Sequence, residues 1–176
     1  MPITNISPNS VVSIGAYSVT DGEVVDILSD GSNAVDSADI FNNTNGNQLI
    51  HVALEDPNGS NPNYVSFTTT IHARRGGKGT ATVNIRVVTS GGDLLSSHNI
   101  IVNTANISVY TTPSTSVSFN TSVANGLELR IQGTGNTQCF YTEAFVTLTS
   151  TITSAGKIII PAIGGLVNIT EGKIIL

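Results

Sequence analysis

From Leu49 to Leu148, apolar and polar residues alternate with a period of two, run after run. The runs are Leu49–Leu54, Tyr64–Arg74, Gly79–Val88, Leu94–Val102, Ile107–Thr111, Ser116–Thr121, Leu127–Gln132 and Gln138–Leu148. Clusters of Gly, Pro and Asn separate nearly all of them, as in DPNGSNPN (Asp56–Asn63), RGGKG (Arg75–Gly79), SGGD (Ser90–Asp93) and GTGNT (Gly133–Thr137). These are residues that let a backbone reverse. A period of two sends successive side chains to opposite faces, so each run predicts a strand with one buried face. Eight strands at spacings of roughly 8–12 residues, with no long helix between them, predict an all-β fold, an antiparallel two-sheet jelly-roll β-sandwich.

The same parity assigns faces. Val65, Phe67, Thr69 and Ile71 are expected inward, as are Leu127, Leu129 and Ile131, with Glu128, Arg130 and Gln132 outward. In the last strand Cys139 and Tyr141 are out of phase with Ala144, Val146 and Leu148, which predicts a bulge near Thr142–Glu143. Thr70–Arg74 and Ala81–Val88 alternate on either side of a Gly-rich basic turn and read as a hairpin. Its outward face would carry His72, Arg74, Arg75, Lys78 and Arg86.

The flanks read differently. Residues 1–13 are taken as an N-terminal extension and 14–150 as the sandwich. Between Tyr17 and Phe41, Val24, Val25, Ile27 and Leu28 suit one side of a short helix opened by Asp21 and stopped by Gly31. Residues 151–176 form a C-terminal extended apolar arm. Ile158, Ile159, Ile160, Ile163, Leu166, Val167, Ile174, Ile175 and Leu176 lie in it, and Pro161 with Gly164-Gly165 divides it into two or three short extended pieces. So many aliphatic side chains need a covering surface, on this chain or on a neighbouring subunit, and they are read as a partner contact.

Composition narrows the function. Of 176 residues only 11% are charged, the net charge is −5, and Ser, Thr and Asn take the place of charge. That balance repels nucleic acid overall and leaves Arg74, Arg75 and Lys78 as a local cationic tip, a second candidate contact. No nucleic-acid partner is expected, nor a membrane one, because no apolar run approaches the ~18 residues that span a bilayer. The N-terminus lacks the basic-then-apolar order of a secretory signal. Cys139 is the single cysteine, so neither an intrachain disulfide nor a cysteine zinc site is available.

Candidate chemistry is sparse. His51, His72 and His98 fall on predicted strands without a G-x-S-x-G or other hydrolase context, and read as strand-surface histidines. Glu55, Asp56, Glu128 and Glu143 are the carboxylates a glycosidase pair would draw on. Asp21, Glu23, Asp26, Asp30, Asp36 and Asp39 gather in one segment, which makes calcium the one ion to consider. EF-hand spacing is missing, and such residues ordinarily cap turns. The expectation is no enzyme, no catalytic or metal residues and no cofactor.

Three stretches, TDGEVVDILSDGSNA (Thr20–Ala34), IHARRGGKGTATVNIRVVTSGGDLL (Ile71–Leu95) and GLELRIQGTGNTQCFYTEAFVTL (Gly126–Leu148), occur in this order in a known domain. Over about Ile14 to Leu148 the chain resembles the carbohydrate-binding-module-like jelly-roll domain of tailed-bacteriophage virion proteins, of the capsid decoration or cement kind. The resemblance implies a virion structural protein, made in the host cytoplasm, with the major capsid protein or other virion subunits as partners and with homo-oligomers. Sugar-binding modules of this kind present exposed aromatic platforms. Here Trp is absent and aromatics are 5% of residues, so sugar binding is not expected. The sequence-level conclusion is a non-enzymatic capsid decoration subunit. The alternative is a glycan- or receptor-binding module of a phage tail or fibre.

Overall fold

A computed structural model describes residues 1–15, 24–29, 49–57, 63–134 and 137–151 in full. It describes residues 18–19, 40–41, 48, 157–160, 165–170 and 173–174 by their backbone alone. In chain order the elements are β1 (Ile3–Ile6), β2 (Pro8–Ser13), β3 (Ser18–Val19), α1 (Val24–Ser29), β4 (Ile40–Phe41), β5 (Gln48–Leu54) and β6 (Asn63–Gly76). There follow β7 (Ala81–Thr89), β8 (Leu94–Val102), β9 (Ser108–Thr111), β10 (Thr115–Phe119), α2 (Thr121–Ala124), β11 (Leu127–Thr134) and β12 (Gln138–Thr151). The last three strands are β13 (Lys157–Ile160), β14 (Gly165–Thr170) and β15 (Lys173–Ile174).

All eight strands predicted between Leu49 and Leu148 form, in two antiparallel sheets of a jelly-roll sandwich. One sheet has seven strands, with β6 and β12 at its centre. β9 and β10 flank β6, while β1 and the short pair β4–β3 flank β12. The other has five, in the order β2-β5-β11-β7-β8. Residues 1–13, expected to precede the sandwich, instead supply one edge strand to each sheet, β1 beside β12 and β2 beside β5. Ile6 explains the correction. It is buried in the core, so this segment has apolar surface to hide and free ladder groups to satisfy.

The core lies between the sheets. Ile50, Val52, Val83, Ile85, Val87, Leu129 and Ile131 come from the five-stranded sheet, and Phe67, Ile71, Ala73, Tyr141, Ala144, Val146 and Leu148 from the seven-stranded one. Burying each large aliphatic or aromatic side chain contributes about 1.5–3 kcal/mol. Helix α1 packs against β12 and β2 with Val24, Ile27 and Leu28 buried, so the short apolar turn read from the sequence plugs one side of the core.

Two bulges decide which residues enter. The β12–β6 register shifts between Tyr141 and Glu143, so Thr142 is the extra residue predicted there, and Tyr141 and Ala144 both point inward. A second shift lies between Thr149 and Ser150. Ser66 pairs with Thr149 and Tyr64 with Ser150, which leaves Val65 unpaired. Tyr64, 1% exposed, therefore occupies the core in place of Val65.

The basic hairpin does not form as a hairpin. β6 belongs to the seven-stranded sheet and β7 to the five-stranded one, so the turn carries the chain from one layer to the other. The alternation of Ile71 and Ala73 with Val83, Ile85 and Val87 is the same whether the apolar faces lie side by side or face each other across a core, and here they face each other. Gly77 and Gly79, with φ of 79° and 99°, make the crossing in a backbone region that disfavours side chains.

The C-terminal strands form a separate three-stranded antiparallel meander, β13-β14-β15. Ile158 pairs with Val167 and Ile159 with Leu166, and Ile160 and Ile174 also lie on its strands. Ile163, Ile175 and Leu176 lie outside the described residues.

Candidate functional site: the outer face of the five-stranded sheet

Splitting β6 from β7 splits the basic residues. His72 and Arg74 project from the outer face of the seven-stranded sheet, and Arg86 from the outer face of the opposite sheet. Arg74 lies over the ring of Phe140, 3.8 Å from its centroid. The next residue, Arg75, is a tether: its Nε donates to Asn103 O at 2.9 Å, Nη1 donates to Gly77 O, and its backbone N–H reaches Thr104 O at 2.8 Å. Lys78 stands exposed at the tip. The cationic tip is thus largely consumed in holding its own loop.

The histidines separate in the same way. His72 Nδ1 lies 2.7 Å from Glu143 Oε2 on the seven-stranded sheet, beside the edge of Phe145. On β8, His98 approaches Thr115 Oγ1 at 3.3 Å. His51, on β5, meets Glu128 and Arg130 of β11, its neighbour in the five-stranded sheet. The carboxylates are also dispersed. Glu128 and Glu143 point away from each other on opposite outer faces, with a core about 10 Å thick between them, so they cannot flank one glycosidic bond. Glu55 accepts from Ser7 N at 3.3 Å in an exposed loop.

Of the acidic segment considered for calcium, Asp26 sits in α1 and Asp21, Glu23, Asp30, Asp36 and Asp39 lie outside the described residues. Among the described residues no group of three His, Cys, Asp or Glu could hold a metal. Cys139 is fully buried, and burial pushes its thiol up to about 12, with a hydrogen bond to Tyr141 and the Arg74 charge offsetting only part of that; it is no nucleophile.

What the fold does assemble is a polar field across the middle of the five-stranded sheet. In one cross-strand row stand Gln132 of β11, Asn84 of β7 and Asn99 of β8. In the next row stand His51 of β5, Arg130, Arg86 and Ser97. Asn84 Nδ2 donates to Asn99 Oδ1 at 2.9 Å, Ser97 Oγ at 3.1 Å and His98 O at 3.4 Å. His51 Nε2 is 2.6 Å from Glu128 Oε2 and 3.2 Å from Arg130 Nε. A single ring nitrogen cannot donate to the first and accept from the second at once, so the shorter contact takes the proton and leaves the Arg130 Nε–H without that acceptor. The outward parity of Glu128, Arg130, Gln132, Asn84 and Arg86 is legible in sequence. Their meeting is not, because it requires knowing that β11 lies between β5 and β7.

A second feature is an open cleft of about 290 Å³ at the end of β10, lined by Asn63, Ser118, Phe119, Asn120 and Val123. Asn120 Oδ1 is occupied in capping α2, accepting from Val123 N at 3.2 Å.

No family model and no curated protein matches this chain. Solved structures similar to it include an arabinose-bound α-L-arabinofuranosidase (12% identity, 81% of this chain and 23% of that chain, TM-score 0.46). Another is the CBM36-1 domain of a multidomain xylanase from the hindgut metagenome of Trinervitermes trinervoides (9% identity, 86% of this chain and 100% of that one, TM-score 0.44). A third is the module TmCBM61 in complex with β-1,4-galactotriose (10% identity, 82% and 87%, TM-score 0.41). The chain spans about a quarter of the arabinofuranosidase it matches.

Proposed function

We propose that this chain is a non-catalytic binding module that holds a saccharide ligand on the outer face of its five-stranded sheet, by hydrogen bonds rather than by ring stacking. One observation carries the reading: the contiguous field of amide, guanidinium, hydroxyl and imidazole groups made by Gln132, Asn84, Asn99, Arg130, Arg86, Ser97 and His51. A polyhydroxylated ligand offers donors and acceptors at every ring position, and a field that mixes both kinds complements it. The aromatic platform expected of a sugar binder is not needed for this mode. Among the described residues no tyrosine is free for a stacking mode, since Tyr64 and Tyr141 are buried and Tyr110 packs partly against the core, bonded to Thr104 Oγ1 at 3.0 Å.

The test is an array of neutral and acidic glycans, followed by amide chemical-shift mapping on the full chain. Saturable binding to one glycan class, with shifts confined to β5, β7, β8 and β11 and lost in Gln132→Ala/Asn99→Ala, is the expected result. Binding to no glycan class, or shifts confined to another surface, overturns it.

A second reading, a structural subunit of a particle such as a phage capsid decoration protein, is favoured by a different observation. Both edges of the five-stranded sheet carry exposed aliphatic side chains, Val11 and Val12 on β2 and Leu94 (59% exposed) and Ile101 (61%) on β8. Exposed edge strands with apolar side chains invite a neighbouring chain. On this reading the partners are further copies or other virion subunits, and the C-terminal meander and Lys78 add contacts. Sedimentation of the wild type against Val12→Lys/Ile101→Lys tests it: a concentration-dependent oligomer that the double variant dissolves supports the reading, and a monomer in both cases removes it.

A further inference from the structure

Arg86 is a cation that its own fold does not neutralise. It lies on β7, an interior strand of its sheet, directly opposite Arg130 on β11 and Ser97 on β8. Directly opposed side chains in antiparallel strands have Cβ atoms about 4.5–5.5 Å apart, and like charges there repel. Arg130 has a partial counter-charge, with Nη2 3.9 Å from Glu128 Oε2, but that oxygen is already engaged by His51 at 2.6 Å. Arg86 makes no hydrogen bond or ion pair among the described residues. On a chain with a net charge of −5, two arginines and one carboxylate leave a local excess of positive charge.

Beside this cation lies a side chain held by its own sheet. Asn84, two residues earlier on the same face of β7, is 9% exposed. Its Nδ2 serves β8, while its Oδ1 is buried and has no partner. Surplus donors on Arg86 therefore stand beside an amide already committed to β8, in the middle of the polar field.

We propose that Arg86 and Arg130 form a clamp for a carboxylate carried on a sugar ring bound in the polar field, so that the ligand class is an acidic, uronate-containing saccharide. The inference rests on the saccharide reading of this face and narrows it. A planar guanidinium fork matches the two oxygens of a carboxylate, and one monoanion balances the excess charge. Binding of the carboxylate then removes the repulsion between the two arginines.

The experiment is calorimetric titration of the full chain, at low and at physiological salt, with oligogalacturonate, oligomannuronate and oligoglucuronate, each paired with its carboxyl-reduced neutral form and with a sulfated neutral form. At least one uronate is expected to bind tenfold or more tighter than its reduced counterpart, with the advantage shrinking as salt is added. Arg86→Gln is expected to abolish that advantage with the melting temperature unchanged or higher, and Arg86→Lys to restore part of it. Equal binding of acid and reduced forms overturns the carboxylate clamp while the saccharide reading stands. A sulfated form binding as tightly as the uronate overturns the choice of carboxylate. Binding of none of these, acidic or neutral, removes both the clamp and the saccharide reading beneath it.

Discussion

The guanidinium of Arg74 lies 3.8 Å from the centre of the Phe140 ring, on the outer face of the seven-stranded sheet. Gly76 stands beside the same ring, where a Cβ would come within 2.5 Å of Phe140 Cε2, so ring, guanidinium and bare backbone fill one space. The three cations of the turn are consequently unequal. Arg74→Ser is expected to lower stability by about 0.5–2 kcal/mol through the lost cation–π contact and packing. Lys78→Ser is expected to change it by less than about 0.5 kcal/mol. Urea denaturation of the two variants checks the order, and equal effects would show that the Phe140 contact contributes nothing.

Glu128 is the only carboxylate near Arg86 and Arg130 among the described residues of that face. Glu128→Gln keeps its shape and removes its charge, so the arginines face each other uncompensated. A loss of about 1–3 kcal/mol is expected. It should shrink in high salt, and Arg86→Gln on the same background should restore part of it. A loss independent of both salt and Arg86 would place the effect in the His51 contact alone.

Cys139 sets a limit at high pH. Its thiol rises from 9.0 to about 12 on folding because it is buried, so the folded chain keeps the proton that the unfolded chain releases. Stability from this group is complete below pH 9 and is lost as pH rises from 9 towards 12, by up to about 4 kcal/mol. The wild type should therefore lose stability more steeply over that window than Cys139→Ala does. Parallel slopes would show that the thiol is not the group responsible.

The strands of the C-terminal meander ladder only with one another among the described residues. A chain ending at Thr151 should remain soluble and melt in one cooperative transition near the full-length temperature, and any self-association of the full chain should be lost with the segment. Aggregation or unfolding of the shortened chain in circular dichroism would assign Ile158–Leu176 to the core instead.

Local chemistry was legible in the sequence wherever a residue's neighbours along the chain decide its environment. The alternation of Leu127, Leu129 and Ile131 marked the buried face of β11, and the phase break between Tyr141 and Ala144 marked the bulge. Pairing between distant segments was not legible. Ile71 and Val83 share one core in either a hairpin or a sandwich, so the pattern could not say which. The N-terminal strands escaped notice because β2 is an edge strand, largely exposed, with only Pro8 buried, and exposure erases the alternation that betrays a strand. For the same reason the amides around Arg86 looked like ordinary polar surface until β5, β11 and β7 were set in order.

The crossing between layers at Gly77 and Gly79 also bears on how the chain is made. β5 and β7 leave a strand-wide gap that only β11 fills, and β6 waits for β12 in the same way, with Leu127 and Gln138 opening those two strands. Neither sheet can close while the first 126 residues emerge from a ribosome. Loop-closure entropy must be met before the most extensive ladders form, which makes folding slow and leaves β5 and β7 with open edges meanwhile. With so few charges on the chain, the polarity of Thr, Ser and Asn on the outward faces is what remains to keep those open edges from pairing with neighbouring chains.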